Sequence, residues 1–288
     1  MSKELAVPNE AREKSRSVDF SAYVKQFTPF LEGLKKWSSG IPLVLLFFAV
    51  WEALPRLGII DPLFLPAFST TIHTLFDLAA SGKLLLHVLV SLQRAAAGFG
   101  LALLLAVPLG FLMGWYNKFE RYTDLLVQGL RNVSTFALLP IFLLLLGLGE
   151  SSKIAIIFYG ASWQLLMNTI SGVKSVDPIY IKAAKSMGVS DWDLFKKVIL
   201  PASIPSIIIG ARLGAKIALM VVIAAEMIGA KSGLGFFIQN AQFNFMVPEM
   251  YAGILTLALL GLVVNYLLVW FEKKTTSWKG EIDSSILG

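Results

Sequence analysis

Three charged side chains, Arg212, Lys216 and Glu226, interrupt the apolar run 206–229, and a charge there is costly unless it is paired or reaches water. At about 100° and 1.5 Å per residue, Lys216 lies about 40° to one side of Arg212 and Glu226 about 40° to the other, with Gly210 and Gly214 near the opposite face. Arg212 and Glu226 are about 21 Å apart along a helix axis, too far to neutralise each other, so each needs another partner. The two cations could hold an anion; Arg212 could instead snorkel to headgroups. For Glu226 a gating or structural ion pair is favoured over direct contact with a solute. Arg131 and Asn132 open the run 127–147, followed by Ser134 and Thr135. Gln164 and Asn168 share a helix face at four-residue spacing and could hydrogen-bond either a solute or neighbouring helices. These seven residues, Arg131, Asn132, Gln164, Asn168, Arg212, Lys216 and Glu226, are the candidate lining of a polar path.

Other chemistries are excluded by what the chain lacks. It has no cysteine and only two histidines, His73 and His87, too few for a thiolate, zinc or haem centre. No cofactor or metal is expected on this chain. No Gly-x4-Gly-Lys-Ser/Thr loop occurs, so a nucleotide site is not expected either. The carboxylates do not cluster as a membrane enzyme would require. An excess of six positive charges would suggest nucleic acid in a soluble protein, but 56% hydrophobic residues, 15% charged ones and a mean hydropathy of +0.70 mark an integral membrane protein. No nucleic-acid partner is expected.

A helix needs about 20 apolar residues to cross a bilayer. Six segments qualify, at about 40–58, 92–114, 127–147, 154–173, 206–229 and 250–271, and predict an all-α polytopic bundle. The third and fifth are too polar to face lipid throughout. Small residues recur every fourth position at Ala106, Gly110 and Gly114 and at Gly210, Gly214 and Ala218, two seams that serve contacts within the chain or with a second copy. Loops and tails on one side carry seventeen lysines and arginines; those on the other carry Arg56, Lys83, Lys153 and Lys231. That imbalance puts both termini and the 174–205 loop in the cytoplasm. The N-terminus has no apolar core after its charges and does not read as a signal peptide. Val24, Phe27, Leu31 and Leu34 recur at helical spacing beside Lys25, Lys35 and Lys36, which suits either an interfacial helix or a solvated tail. The expected division is a tail over 1–38, a membrane domain over 39–273 and a second tail over 274–288.

Residues 177–201, DPIYIKAAKSMGVSDWDLFKKVILP, form a polar island between apolar stretches. Asp177 with Pro178 reads as a helix start, running to about Met187. Gly188 can end that helix in the left-handed conformation, and Ser190 with Asp193 starts a second one. Pro201 is expected to end the second helix or bend it sharply. Ile179, Tyr180, Met187, Trp192 and Phe195 then need a partner to be dry.

The island resembles the cytoplasmic EAA loop of ABC importer permeases. Ala183, Ala184, Gly188, Leu200 and Pro201 match, while Lys182 stands where the family usually has Glu and Val198 where it usually has Ile. TISGVKSVDP, GARLGAK, AAEMIGAKSGLGFFIQNA, Gly147 to Ser151, Leu139-Pro140 and the closing SWKGE resemble the branch that imports nitrate, taurine and other sulfonates, and bicarbonate. Ser134 departs from a proline common in that branch. The resemblance implies a type I permease fold over roughly 40–280, in a bacterial inner membrane. It also implies a homodimer surrounded by lipid, two ATP-binding cassette subunits that carry ATP and Mg, and an external solute-binding protein. In the family the loop docks on the ATPase, which makes Ala183, Ala184, Met187, Gly188, Trp192, Phe195, Leu200 and Pro201 the expected coupling residues. Transport by alternating access of a small anion follows as the expected function. An ion-coupled secondary carrier is the alternative; it would show internal repeats, and none is found.

Overall fold

The computed structural model describes residues 41–275 and divides them at residue 60 into two units. The segment expected to form an N-terminal interfacial helix and most of both tails lie outside the described residues. In the first unit residues 41–56 are helical (α1), with Phe47, Phe48 and Trp51 in mutual ring contact and Arg56 paired with Glu52 at 2.6 Å.

The second unit is a helical bundle: α2 (Phe68–Ala80), α3 (Lys83–Trp115), α4 (Asn117–Arg131), a 3-10 turn (Phe136–Leu138) running into α5 (Leu139–Leu146), α6 (Glu150–Lys174), α7 (Pro178–Ser186), α8 (Asp191–Leu194), a π turn (Phe195–Ile199), α9 (Leu200–Met227), α10 (Leu234–Phe243) and α11 (Val247–Thr275). Four helices among the described residues are long and apolar enough to cross a bilayer: α3, α6, the continuous helix Asp191–Met227, and α11. The expected third span is not straight. α4 and the segment Phe136–Leu146 meet at 82°, with the break at 132–135, where Asn132, Ser134 and Thr135 stand. The break frees backbone groups that lipid cannot satisfy. The Tyr159 hydroxyl of α6 donates to the Leu130 carbonyl at 2.5 Å, and the Asn132 amide donates to the Gln128 carbonyl at 2.8 Å.

Pro201 does not end its helix: Asp191–Met227 runs continuously through it. The π turn lets the Leu200 N–H reach the Phe195 carbonyl, so the ladder has already slipped one residue when the proline, lacking an N–H, enters at the start of α9.

α6 is the axle of the bundle. Burial against another apolar helix gains little in lipid, so close van der Waals approach has to hold the helices together. α3 runs parallel to α6: Gly98, Gly110 and Gly114 lie against Ile157, Thr169 and Val173. α9 runs antiparallel, with Gly172 of α6 against Ser206, and with Gly210 and Gly214 of α9 against Asn168 and Ala161. Both small-residue seams are therefore contacts within the chain. Ile156, Ile157, Leu165, Met113 and Val222 fill the core between these three helices. A second cluster joins α2 and the start of α3 to α10 and α11 through Leu78, Leu84, Leu234, Phe237 and Ala252.

A Cβ on Gly110 would stand 2.6 Å from the Thr169 Cβ, whereas one on Gly129 meets nothing within 4 Å. Gly110→Val should therefore cost about 1–3 kcal/mol or more and lower the thermal unfolding midpoint in detergent, while Gly129→Ala, within α4, does not lower it.

A candidate coupling surface and a buried ion network

The loop between α6 and α9 is built by its caps. The Asp177 carboxylate accepts from the Ile179 N–H at 2.8 Å, and Pro178 supplies the first helical residue. Gly188 ends α7 at φ +74°, and the Val189 N–H closes back on the Ala184 carbonyl at 3.1 Å. A Cβ at Gly188 would meet no atom within 4 Å, so the requirement for glycine there is conformational rather than steric. Ser190 accepts from the Asp193 N–H at 3.2 Å and donates to the Asp193 carboxylate at 2.9 Å, and Lys197 pairs with Asp193 at 2.8 Å.

One side of this loop is fixed to the bundle. Ala184, Leu194 and Ile199 are buried with Val173 of α6, and Phe111 and Trp115 of α3 pack on them. Phe195 was expected to await a partner; instead its ring meets Phe111 edge-on at 5.2 Å and stacks under Trp192 at 5.9 Å. Leu200 is half-buried and Pro201 exposed at the head of α9. The other side stays bare: Ile179, Tyr180, Met187 and Trp192 are 64–75% exposed, and Lys182 and Ala183 are exposed beside them.

At the far ends of the same helices lies a network that the sequence reading did not assemble. Glu226 is fully buried, and its partner is Arg94 of α3, 5% exposed, at 2.9 Å. The Ser91 hydroxyl lies 2.8 and 2.9 Å from the two Glu226 oxygens, and the Gly235 N–H donates to one of them at 2.9 Å. The carboxylate thus sits at the N-terminus of α10, where the helix dipole and free N–H groups favour an anion. Gly233 and Gly235 make that approach possible, since a Cβ on either would fall 2.2 Å from the Glu226 carboxyl carbon or the Ile223 carbonyl oxygen. Arg94 spends its remaining donors on the Ser232 carbonyl at 2.6 Å and on Glu150, the first residue of α6, which it grips through two bonds of 2.6 Å. Lys153, also buried, donates to the carbonyls of Leu148 and Gly149. The Gly233 N–H donates to His87 Nδ1 at 3.1 Å.

The seven polar residues expected to share a path lie in several environments. Glu226 is sealed in the network. Arg212 pairs with Glu272 of α11 at 2.7 Å. Lys216 is exposed and has no ion-pair partner among the described residues. Asn168 packs on Gly210 and donates to the Gln164 carbonyl of its own helix at 2.8 Å. Arg131, exposed at the break, reaches the Met167 sulfur at 3.0 Å. Arg94 had a sequence signal, a lone arginine inside the apolar run SLQRAAAGFG, as did the SGLG glycines that admit Glu226. Their pairing spans 132 positions and no local pattern announces it.

Residues 106–277 match the family described as binding-protein-dependent transport system inner membrane component. The chain belongs to that family. This permease is 36% identical to a probable ABC transporter permease protein of Brucella abortus over 84% of its own length and 97% of that protein. It is 32% identical to the taurine transport system permease protein of Escherichia coli, over 81% and 86%, and 28% identical to the bicarbonate transport system permease protein of Synechococcus elongatus, over 84% and 92%. In fold it is similar to the inward-facing MetNI methionine ABC transporter, with a TM-score of 0.56 at 18% identity over 65% of this chain and 93% of that one. The permease is thus a membrane-embedded transport component of an ABC importer, a class that works with an ATPase and a binding protein, and the secondary-carrier and membrane-enzyme readings fall away.

Removing one member of a buried ion pair costs about 3–5 kcal/mol. Arg94→Met should lower the permease's unfolding midpoint strongly, and adding Glu226→Gln to it should recover part of the loss because no uncompensated charge then stays buried.

Proposed function

We propose that the permease works as one of two identical copies in a bacterial inner membrane, with lipid around the pair and both termini in the cytoplasm. Two ATPase subunits dock on residues 177–201, and an external binding protein delivers the solute. ATP and Mg sit on the ATPases; this chain carries no cofactor. The imbalance of seventeen cations against four supports the orientation.

The observation that carries the coupling role is the loop's two-sidedness. Its inner side is packed on the ends of α3 and α6, and its outer side offers four large apolar side chains on a rigid helix–glycine–helix frame. A partner that grips Ile179, Tyr180, Met187 and Trp192 pulls directly on the bundle. The loop and the α3, α6 and α9 helices then move as one body, and alternating access arises between two such bodies. Ala184, Gly188, Phe195 and Leu200 serve the frame, while Ala183 lies on the exposed side with the contact residues and Pro201 is exposed at the head of α9.

The solute is a small oxyanion of sulfonate, nitrate or bicarbonate type. Support comes from the two relatives named for taurine and bicarbonate and from the exposed cations Lys216 and Arg131. Uptake of labelled taurine, nitrate and bicarbonate into vesicles holding the complete transporter identifies which anion is carried.

Truncating an aromatic anchor at the centre of an interface commonly costs about 2 kcal/mol or more. Trp192→Ala should weaken ATPase association by that order and depress ATP-dependent uptake together with it. Gly188→Val, which forces a β-branched residue into the left-handed region at about 1–2 kcal/mol, should lower uptake as well. Normal association and uptake in both variants would contradict the docking role.

A further inference from the structure

We propose that the outer edge of the Arg94 guanidinium is an oxyanion subsite of the transport path, occupied in this conformation by the protein's own Glu150. The inference rests on the oxyanion reading above and adds the group that receives the solute.

The two carboxylates on Arg94 are not equivalent. Glu226 is fully buried and holds Arg94 from the inside, tied down by Ser91 and the Gly235 N–H. Glu150 takes its hydrogen bonds from Arg94, with Lys153 adding attraction at longer range; its side chain is 60% exposed, and it follows the turn Gly147–Leu148–Gly149 in which Gly147 takes φ +77°. Releasing Glu150 to water costs little solvation, whereas releasing Glu226 would strand a buried charge. The Nε and Nη2 donors facing Glu150 form a planar fork that fits any carboxylate-like pair of oxygens. Sulfonate, nitrate and bicarbonate all present such a pair.

Charge and space agree with that exchange. A monovalent oxyanion on the Arg94 fork takes over the charge that the Glu150 carboxylate supplies there. A recess of about 380 Å³ opens beside the pair, lined by Gln93, Arg94, Glu150 and Ser232 with Val90 and Ile154. Gln93 and Ser232 offer further donors for a third oxygen, and the apolar residues leave room for the short chain of a sulfonate. Arg212 meets Glu272 through Nη1, and Arg131 meets the Met167 sulfur rather than a carboxylate.

The test uses the purified permease–ATPase complex in nanodiscs, with the thermal unfolding midpoint as readout. Glu150→Ala removes the internal occupant; methanesulfonate, nitrate and bicarbonate are then added at ionic strength matched with chloride, with methanesulfonamide as the neutral control. The three oxyanions should raise the midpoint of Glu150→Ala saturably above the chloride series. Methanesulfonamide should not, and wild type should require roughly tenfold more oxyanion, since its tethered carboxylate competes at high effective concentration. Adding Arg94→Met should abolish the response. If Glu150→Ala does not fold, Glu150→Gln, which keeps the shape, is used in its place. Equal shifts in chloride and oxyanion, or a response that survives Arg94→Met, would overturn the proposal.

A transport arm separates it from the reading beneath it. In vesicles Glu150→Gln should lower the half-saturating concentration of the carried oxyanion. An unchanged value, with wild-type uptake intact, removes the subsite alone. If wild type carries none of the three anions, the oxyanion reading fails and the assignment of Arg94 to the path fails with it.

Discussion

How closely two helices can approach α6 decides most of this molecule. In lipid the hydrophobic effect does not press helices together, so cohesion comes from contact distance, and glycine alone permits the shortest contacts. Gly98, Gly110 and Gly114 bring α3 onto one side of α6, and Gly210 and Gly214 bring α9 onto the other. With three helices at this spacing, whatever is fastened to one end of α6 is mechanically joined to whatever is fastened to the other.

At one end is the 177–201 loop, fixed through Ala184, Leu194 and Ile199 to Val173, Phe111 and Trp115. At the other is the Arg94 network, which ties α3, α6, α9 and the start of α10 by charge-assisted bonds. A buried ion pair rarely adds net stability over well-packed apolar side chains, yet separating its members is expensive. Its effect here is to fix geometry: α9 cannot slide past α3 without stranding Glu226. The two ends are held by different physics, apolar packing at the loop and polar satisfaction at the network.

Much of this was legible in the sequence because the signals were local. Spans of about 20 apolar residues name a membrane bundle. Asp177, Pro178, Gly188 and Ser190 write the caps of the loop in their own side chains, and the structure places each cap where those residues require it. The two glycine seams were visible as seams, but not the surface they met, because a seam's partner is set by tertiary packing. The 82° break at 132–135 carried no proline, and the apolar pattern continues beyond it, so periodicity alone extended the span. α10, only ten residues long, fell below the length at which a span is recognised. Arg94 and Glu226 were each conspicuous as charges in apolar runs, but a pairing across 132 residues is a property of the fold. Asn168 shares a face with Gln164 as the four-residue spacing requires, and its amide donates to the Gln164 backbone carbonyl.

Rigidity of the loop on its bundle is the claim from which the coupling mechanism follows. Because the chain has no cysteine, single thiols can be placed at will. Spin labels at Lys182→Cys and Ser151→Cys, both exposed positions, mark the loop and the opposite end of α6. Pulsed dipolar distances are then measured in the complete transporter, without nucleotide and with ATP trapped on the ATPases. The account predicts that the distance within one chain stays constant between the two states while the distance between equivalent labels on the two copies changes. A changed distance within the chain would mean that the loop swings independently of α6, and would contradict it.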